Sequence, residues 1–531
     1  MTTTPESEPP HEHGVHLLSA TSVVGAHTVL SRITGLARDM ALSWWFGAGP
    51  VMDAFAVAFR IPNLLRRFFA EGAFSQAFVP VISEYRTRSS HAETRELVAR
   101  VAGTLGVALF VVSAIGVVAA PVLVFVFAPG FSADNGRFAL TTEMLRFTFP
   151  YVLFVSLTAL AGSVLNAHRR FAVAAFTPVL LNVTMIVFAG FVGPLLENPG
   201  LGLALGVFVA GVVQLAFQLP FLWRIDLLPP PRWGWAHEGV RRILKLMLPA
   251  IFGSSVAQIS VLLDTLIASF LVAGSISWLW YADRLVEFPL GVFGTALATV
   301  ILPHLSEQHA RSSPQVFSDT LDWVLRLVLV VGLPAAVGLA LVAEPLLATL
   351  FLRGEFGLHD VAMTAAALRA YAPGLLGFIL VKVLAPGYFA RQDTRAPVRA
   401  GIVALTTGMA LAGIFVVTLL ATGWGPPHAG IAAATSCSAL LNAGLLFFGL
   451  RRAGVYRARA GWGLLALRVL AASVAMAIAV AAAFVVAGDW LALSTLARLG
   501  WLAGIVCGGA ALYFGACFAL GLRVHDFKVR S

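Results

Sequence analysis

The sequence predicts an all-α polytopic membrane protein with fourteen transmembrane helices, and three observations lead to this fold class. Of the 531 residues, 59% are hydrophobic and only 12% are charged, whereas about 25% of the residues in soluble domains are charged. Continuous apolar runs of about 20 residues recur along the chain, which is the length a helix needs to cross a bilayer. The connections between the runs are short and polar. Because the runs do not alternate apolar with polar residues, they do not fit a β-barrel.

The connections between the predicted helices alternate in charge. One set, which includes "EYRTRSSHAETRE", "AHRRF" and "RRAGVYRARAG", is rich in Lys and Arg, whereas the other, with "FGAGP", "GPLLENPG" and "TGWGPPHAG", has few. Basic connections stay in the cytoplasm, so an even number of helices places both termini there. The net charge of +10 is therefore a topology signal and a contact for anionic lipid headgroups. Nucleic acid is not an expected partner.

Two short motifs recur with one offset and predict an internal repeat. "PVISE" at 80–84 returns as "PHLSE" at 303–307, and "LRFTFP" at 145–150 returns as "LRAYAP" at 368–373, each 223 positions later. We therefore predict two six-helix lobes in parallel orientation, a plan that transporters use. The N-lobe covers 15–225 with helices 1–6, and the C-lobe covers 226–455 with helices 7–12. Residues 1–14 are predicted to be a disordered cytoplasmic tail, and 456–531 contain helices 13 and 14 and the C-terminus.

Several ionisable residues lie inside the predicted helices. A charge near the middle of a bilayer costs about 2.5–3.5 kcal/mol on insertion scales, so such residues face a bundle interior or a wet cavity and are candidates for function. Arginine suits an anionic headgroup, because its guanidinium binds phosphate oxygens in bidentate fashion. The alternative is a set of internal ion pairs that fix helix packing, and it stays equally open for Asp39, Arg67 and Lys382. The other embedded charges are Arg32, Arg38, Asp53, Arg60, Arg66, Asp264, Asp283, Arg284 and Glu287.

Motifs for catalysis are missing from the sequence. It has no G-x-x-x-x-G-K-[ST], no H-E-x-x-H and no G-x-S-x-G segment, the patterns of P-loop nucleotide hydrolysis, zinc proteolysis and serine hydrolysis. Transport therefore fits better than catalysis, and we expect no cofactor.

Four segments resemble the MurJ (MviN) lipid II flippases of the multidrug/oligosaccharidyl-lipid/polysaccharide exporter superfamily. They are "SRITGLARDMALSWWFGAG", "DAFAVAFRIPNLLRRFFAEGAFSQAFVPVISEY", "SWLWYADRLVEFPLGVFGTALATVILP" and "VKVLAPGYFARQDTRAPV". The resemblance implies two MATE-like lobes around a central cationic cavity with alternating access. It implies lipid II, the undecaprenyl-pyrophosphate-linked disaccharide pentapeptide, as the substrate. Helices 13 and 14 would hold the polyprenyl tail in a groove.

The resemblance also implies roles for individual residues. The family's cavity charges correspond to Arg32, Arg38, Asp53, Arg66 and Arg284, whereas Asp283 and Glu287 match acidic residues near the portal between the lobes. Arg60 stands where relatives have a basic residue, and Glu71 belongs to the matched "AEGAFSQ" segment.

Asp264 and Asp393 resemble two sodium ligands of some relatives. However, Phe389 and Met409 stand where oxygen-bearing side chains would complete such a site, since hard cations prefer oxygen ligands. Asp264 is alternatively a proton site or a satisfied polar group.

The leading hypothesis is a monomeric lipid II flippase of the bacterial inner membrane, driven by the membrane potential or an ion gradient, with lipid II and membrane lipids as its partners. A second hypothesis is an exporter of another lipid-linked oligosaccharide or of a cationic drug. A cavity that binds a cationic drug would be lined by acidic and aromatic residues, however, and the predicted cavity is rich in arginine. A third is a membrane-embedded glycosyl- or phosphotransferase. It needs an acidic metal-binding pair, for which Asp283 and Glu287 are the candidates.

Overall fold

The computed structural model describes residues 10–66, 73–291, 301, 305–308 and 313–523, and this part of the chain contains helices and connections but no strand. The first ten helices are α1 Pro10–Phe46, α2 Pro50–Arg66, α3 Ala73–Arg88, α4 His91–Val118, α5 Ala120–Phe127, α6 Asn135–Thr148, α7 Tyr151–Ala167, α8 Phe171–Val187, α9 Leu201–Trp223 and α10 Glu238–Ser269. The remaining helices are α11 Ser275–Pro289, α12 Pro314–Leu350, α13 Leu358–Phe389, α14 Arg395–Thr422, α15 Pro427–Arg452, α16 Trp462–Ala487 and α17 Thr495–Ala519.

Local sequence explains where several helices begin. Ser90 and Glu93 form a capping box at the start of α4, in which each side chain accepts a hydrogen bond from the other residue's backbone N–H. Such a box satisfies donors that the first helical turn leaves open. Ser494 caps α17 by accepting from the N–H of Ala497. Helix α1 begins at Pro10, inside the predicted disordered tail 1–14, and proline is well tolerated at a first helical position because the missing N–H has no partner there.

Ten spans of the described chain are long and apolar enough to cross a membrane. They coincide with predicted helices 3–6 and 9–14, and α6 and α7 together form one of them, Gly136–Ala167. Predicted helices 1, 2, 7 and 8 correspond to α1, α2, α10 and α11. These four carry most of the embedded charges, and α2 and α11 have only 17 and 15 residues. The count of fourteen therefore stays a prediction.

Two compact units make up the chain. One consists of the described residues of Met1–Trp45, Ala54–Val126 and Ser132–Ser255, and the other of those of Phe46–Asp53, Phe127–Phe131 and Val256–Ser531. The division falls inside α10, between Ser255 and Val256, whereas the sequence predicts a boundary between 225 and 226. We call these parts the first and the second unit.

The first unit has a core where α3, α4, α7, α9 and α10 meet, with Phe78, Leu97 and Leu165 fully buried. In the second unit, small residues bring α13 and α15 close together. A Cβ on Gly374 would lie 2.6 Å from the Ser436 hydroxyl oxygen, and one on Gly377 would lie 2.7 Å from backbone atoms of α15. This close approach is how membrane helices gain dispersion contacts in the absence of a hydrophobic drive between them.

The last two helices pack on each other and on α12 of the second unit. Val342 of α12 shares a buried cluster with Met476 and Val480 of α16 and with Ile505 of α17. The Tyr513 hydroxyl of α17 donates a 2.7 Å hydrogen bond to the carbonyl oxygen of Val330. The C-terminal helix pair is thereby attached to the helix that precedes α13.

Candidate functional site

Arg38 and Asp39 form a buried ion pair in the first unit. The side chain of Arg38 is 8% exposed and that of Asp39 is 3% exposed. The Nε and Nη2 atoms of Arg38 donate to Asp39 Oδ1 at 3.0 and 2.7 Å, and Nη1 donates to Asn182 Oδ1 at 3.1 Å. The Asn182 amide in turn donates to the Ser31 carbonyl and the Thr34 hydroxyl. This network joins α1 to α8, so Arg38 is occupied by protein groups.

Asp53 caps the N-terminus of α11. The residue is 1% exposed. Its Oδ2 accepts from the N–H of Gly274 at 2.7 Å, and its Oδ1 accepts from the N–H and the hydroxyl of Ser277 at 2.8 and 2.6 Å. A carboxylate is favoured there because the first helical N–H groups lack partners and the helix dipole is positive at this end. A direct contact between Asp53 and a substrate would require these bonds to open.

Gly274 makes this cap possible. Its φ is +95°, in the left-handed region, and a Cβ would lie 2.7 Å from the ring of Trp278. Only glycine fits such a position without strain. The short loop before α11 can therefore direct its N–H groups at Asp53.

Arg284 lies on α11 between an aromatic ring and a carboxylate. Its guanidinium carbon is 4.7 Å from the centre of the Trp280 ring, and Nη1 donates to Glu287 Oε2 at 2.7 Å. The side chains of Arg284 and Glu287 are 29% and 42% exposed, so this pair, unlike the Arg38 pair, is reachable. Asp283 is exposed on the same helix.

The arginines of α1 and α2 are partly exposed. Arg32, Arg60 and Arg66 all have intermediate accessibility, and the Nε of Arg66 donates to Asn63 Oδ1 one helical turn away at 2.7 Å. All three belong to the first unit. Glu71 and Arg67, which the sequence also singles out, lie outside the described residues.

The two sodium candidates have separate partners. Asp264 accepts from the Thr435 hydroxyl at 3.3 Å, whereas Asp393 caps α14 by accepting from the N–H groups of Arg395 and Ala396 at 3.1 Å. Among the described residues, no group of three or more His, Cys, Asp or Glu side chains could hold a metal ion.

The sequence reasoning missed a buried carboxylate, Asp322 of α12, which is 1% exposed. Its Oδ1 accepts from the Tyr456 hydroxyl at 2.8 Å, from Trp462 Nε1 at 2.7 Å and from the N–H of Arg459 at 3.2 Å. Its Oδ2 accepts from Arg326 Nε at 2.7 Å. The signal in the sequence was the i,i+4 spacing of Asp322 and Arg326, which is typical of an ion pair on a helix. Asn182, a lone amide in an apolar run, was missed as well.

Long apolar helices that contain both buried ion pairs and partly exposed arginines indicate a polytopic membrane protein. A family model makes the class more specific. The model described as "Lipid II flippase MurJ" matches residues 42–500. The chain belongs to this family.

Relatives and solved structures agree with this assignment. The chain is 46% identical over 522 residues to a "Probable lipid II flippase MurJ" of Vibrio cholerae serotype O1, covering 97% of this chain and 98% of the relative. A structure titled "Lipid II flippase MurJ, inward closed conformation" has a TM-score of 0.77 at 24% identity, covering 93% of this chain and 97% of that one. An inward-facing multidrug resistance MATE family transporter of the MOP superfamily has a TM-score of 0.66 at 14% identity, covering 82% and 98%. At these identities the two structures show the fold alone.

Proposed function

We propose that this chain is a lipid II flippase, which moves the undecaprenyl-pyrophosphate-linked peptidoglycan precursor from the cytoplasmic to the outer leaflet of the bacterial inner membrane. The observation that carries the proposal is the family match across residues 42–500. The 46% identity to a probable lipid II flippase over nearly all of both chains supports it.

Arg32, Arg60 and Arg66 are the best candidates for contact with the pyrophosphate. Their side chains are partly exposed, whereas Arg38 is buried and hydrogen-bonded to Asp39 and Asn182. A guanidinium is weakly hydrated and matches the geometry of phosphate oxygens. These three arginines would therefore bind the headgroup, while Arg38 would hold α1 against α8.

Arg284 would take part by exchanging its partner. Glu287 neutralises it through the 2.7 Å bond, and the Trp280 ring holds the guanidinium in place. A pyrophosphate carries more negative charge than one carboxylate and accepts bidentate hydrogen bonds. Arrival of the headgroup would thus displace Glu287, and its departure would restore the internal pair.

The transport cycle would be alternating access through a cationic central cavity between two repeated six-helix lobes, without a cofactor. A cavity with excess positive charge responds to the membrane potential, which supplies about 2.3 kcal/mol per elementary charge per 100 mV. The return of the emptied cavity toward the cytoplasm would draw on that energy. Both termini would lie in the cytoplasm, and the chain would work as a monomer.

The test is rescue of bacteria depleted of their own flippase, combined with native mass spectrometry of the purified protein. Arg32→Ala, Arg60→Ala and Arg66→Ala should each reduce rescue and the amount of co-purified lipid II by at least about tenfold, which corresponds to about 1.4 kcal/mol. Protein levels should stay normal, because the three side chains are not fully buried.

The matched control is Arg88→Ala, since the Arg88 side chain is 79% exposed at the end of α3. This variant should rescue growth and retain lipid II like the wild type. If all three cavity variants grew normally and kept their lipid II, the proposed headgroup contact would be wrong.

A further inference from the structure

An apolar groove of about 460 Å³ runs between α12, α13 and α15 in the second unit. Leu329, Leu376, Leu380 and Leu440 form its wall, and Arg451 and Tyr456 lie at one end. The volume is within the range of about 300–1,000 Å³ that is typical of ligand pockets. The three helices are long and apolar enough to span a membrane, so the apolar tail of a lipid suits this groove.

The polar end of the groove is built around Asp322. Tyr456 is 2% exposed, and Asp322 fixes it and Trp462 by accepting from their hydroxyl and indole N–H. Asp322 also neutralises Arg326. Arg451 is different: it is exposed in the last turn of α15, and within the described chain no carboxylate pairs with it. The groove therefore ends at a cation that can bind an external anion.

A related groove of about 590 Å³ exists in the first unit, and it shows what is special about Arg451. Six residues that line the first groove each have a counterpart that lines the second groove 223 positions later in the chain. This spacing is the offset of the sequence repeat. The pairs are Ala102 and Leu325, Gly106 and Leu329, Leu157 and Leu380, Ala161 and Leu384, Leu228 and Arg451, and Trp233 and Tyr456. The groove is thus a feature that both units share, but the lining of the first groove contains no charged residue, whereas the lining of the second includes Arg451.

We propose that the groove of the second unit binds an anionic phospholipid, with an acyl chain along the leucine wall and the phosphate on Arg451. Apolar walls with one cation at the end complement an amphiphile with a negative headgroup. Basic pockets between transmembrane helices bind acidic lipid headgroups for this reason. A guanidinium adds bidentate geometry to the charge attraction. This site is separate from Arg32, Arg60 and Arg66, so it does not depend on the proposed transport of lipid II.

The test is thermal unfolding of the full chain in detergent with added phosphatidylglycerol or phosphatidylcholine of identical acyl chains. A ligand that binds the folded state raises the unfolding midpoint as its concentration exceeds the dissociation constant. We expect phosphatidylglycerol to raise the midpoint more than phosphatidylcholine does. Arg451→Gln should remove this excess. Gly444→Phe should remove it as well, because Gly444 lines the groove and a Cβ there has nothing within 4 Å, so a ring at this position would occupy the groove.

Two variants serve as matched controls. Arg452→Gln removes a neighbouring charge that is also exposed but does not line the groove. Gly413→Phe adds a ring at a glycine of α14 where a Cβ likewise has nothing within 4 Å. Both should keep the full preference for phosphatidylglycerol. If Arg452→Gln lost as much of the preference as Arg451→Gln, diffuse surface charge would explain it and the site would be refuted. Unchanged preference in Gly444→Phe, or a stronger effect of undecaprenyl phosphate than of phosphatidylglycerol, would also overturn the proposal.

Discussion

Arg38 and Asp53 are buried charged residues that each hydrogen-bond to a group from a distant part of the chain. Asn182 is 144 positions from Arg38, and Gly274 is 221 positions from Asp53. A buried charge must be paired or hydrogen-bonded, because its desolvation is otherwise too costly. These two residues, which the family resemblance places among the five cavity charges, therefore also hold helices together. Loss of function in their variants then has two physical origins to separate, lost substrate contact and lost stability.

Asp53→Ala should destabilise the fold. It removes the cap of α11 and leaves the N–H groups of Gly274 and Ser277 buried without an acceptor, which costs about 2–4 kcal/mol. Asp53→Asn should cost less, because its carbonyl oxygen still accepts from one of them. The thermal midpoint in detergent measures both effects, with Asp489→Ala, an exposed turn carboxylate, as the unchanged control. An Asp53→Ala protein that unfolds like the wild type but no longer rescues growth would show that contact with substrate is its main role.

Arg38→Ala should be more damaging than the double variant Arg38→Ala with Asp39→Ala. The single change takes the Arg38 guanidinium away from the buried Asp39 carboxylate, and breaking a buried pair in this way costs about 3–5 kcal/mol. Removing both charges avoids that cost and leaves only the cost of the space that the two shortened side chains no longer fill. A double-mutant cycle on the unfolding midpoint measures the difference. Equal destabilisation by the single and double changes would indicate that Asp39 gains little from Arg38.

The linker 453–461 between α15 and α16 depends on one carboxylate. Asp322 accepts from Tyr456, Arg459 and Trp462, and the Ser318 hydroxyl accepts from the N–H of Arg457 at 2.8 Å. Burial, together with the hydrogen bond to Asp322, raises the pKa of the Tyr456 phenol far above its ordinary value. The hydroxyl therefore stays a donor throughout the physiological range of pH, and the linker holds α16 against α12.

Asp322→Ala should release this linker. Several donors lose their acceptor together, so we expect a loss of about 3 kcal/mol or more and faster cleavage by trypsin after Arg457 and Arg459. Asp319→Ala is the control, because it removes a partly exposed pair with Arg459 that is worth at most about 1 kcal/mol. Mass spectrometry of the fragments locates the cuts. Equal protection of the linker in both variants would mean that Asp322 does not anchor it.

The helices that the sequence predicts best are those whose signal is local. The spans of helices 3–6 and 9–14 are visible as apolar runs, and ten such spans lie in the described chain. Side-chain roles depend instead on partners, which one sequence does not reveal. The resemblance identified Arg284, but not that Glu287 and Trp280 hold it. Asp322 was overlooked because three of its four partners lie 134–140 positions away.

The distribution of basic residues predicts how the chain is oriented in the membrane. The linker 453–461 contains Arg457 and Arg459, whereas the connection 423–426 between α14 and α15 contains no charged residue. The positive-inside rule predicts that the linker 453–461 lies in the cytoplasm and that the connection 423–426 lies outside. Green fluorescent protein fused at the C-terminus should therefore fluoresce, and alkaline phosphatase inserted after Trp424, which is 87% exposed, should be active. If the phosphatase were inactive while the C-terminus fluoresced, Trp424 and the C-terminus would lie on the same side of the membrane. An even number of membrane spans would then separate them, contrary to the three helices α15, α16 and α17. If the C-terminal fusion were dark and were cleaved by protease added to intact spheroplasts, the C-terminus would lie outside. Together with a cytoplasmic N-terminal tag, this result would rule out an even number of transmembrane helices.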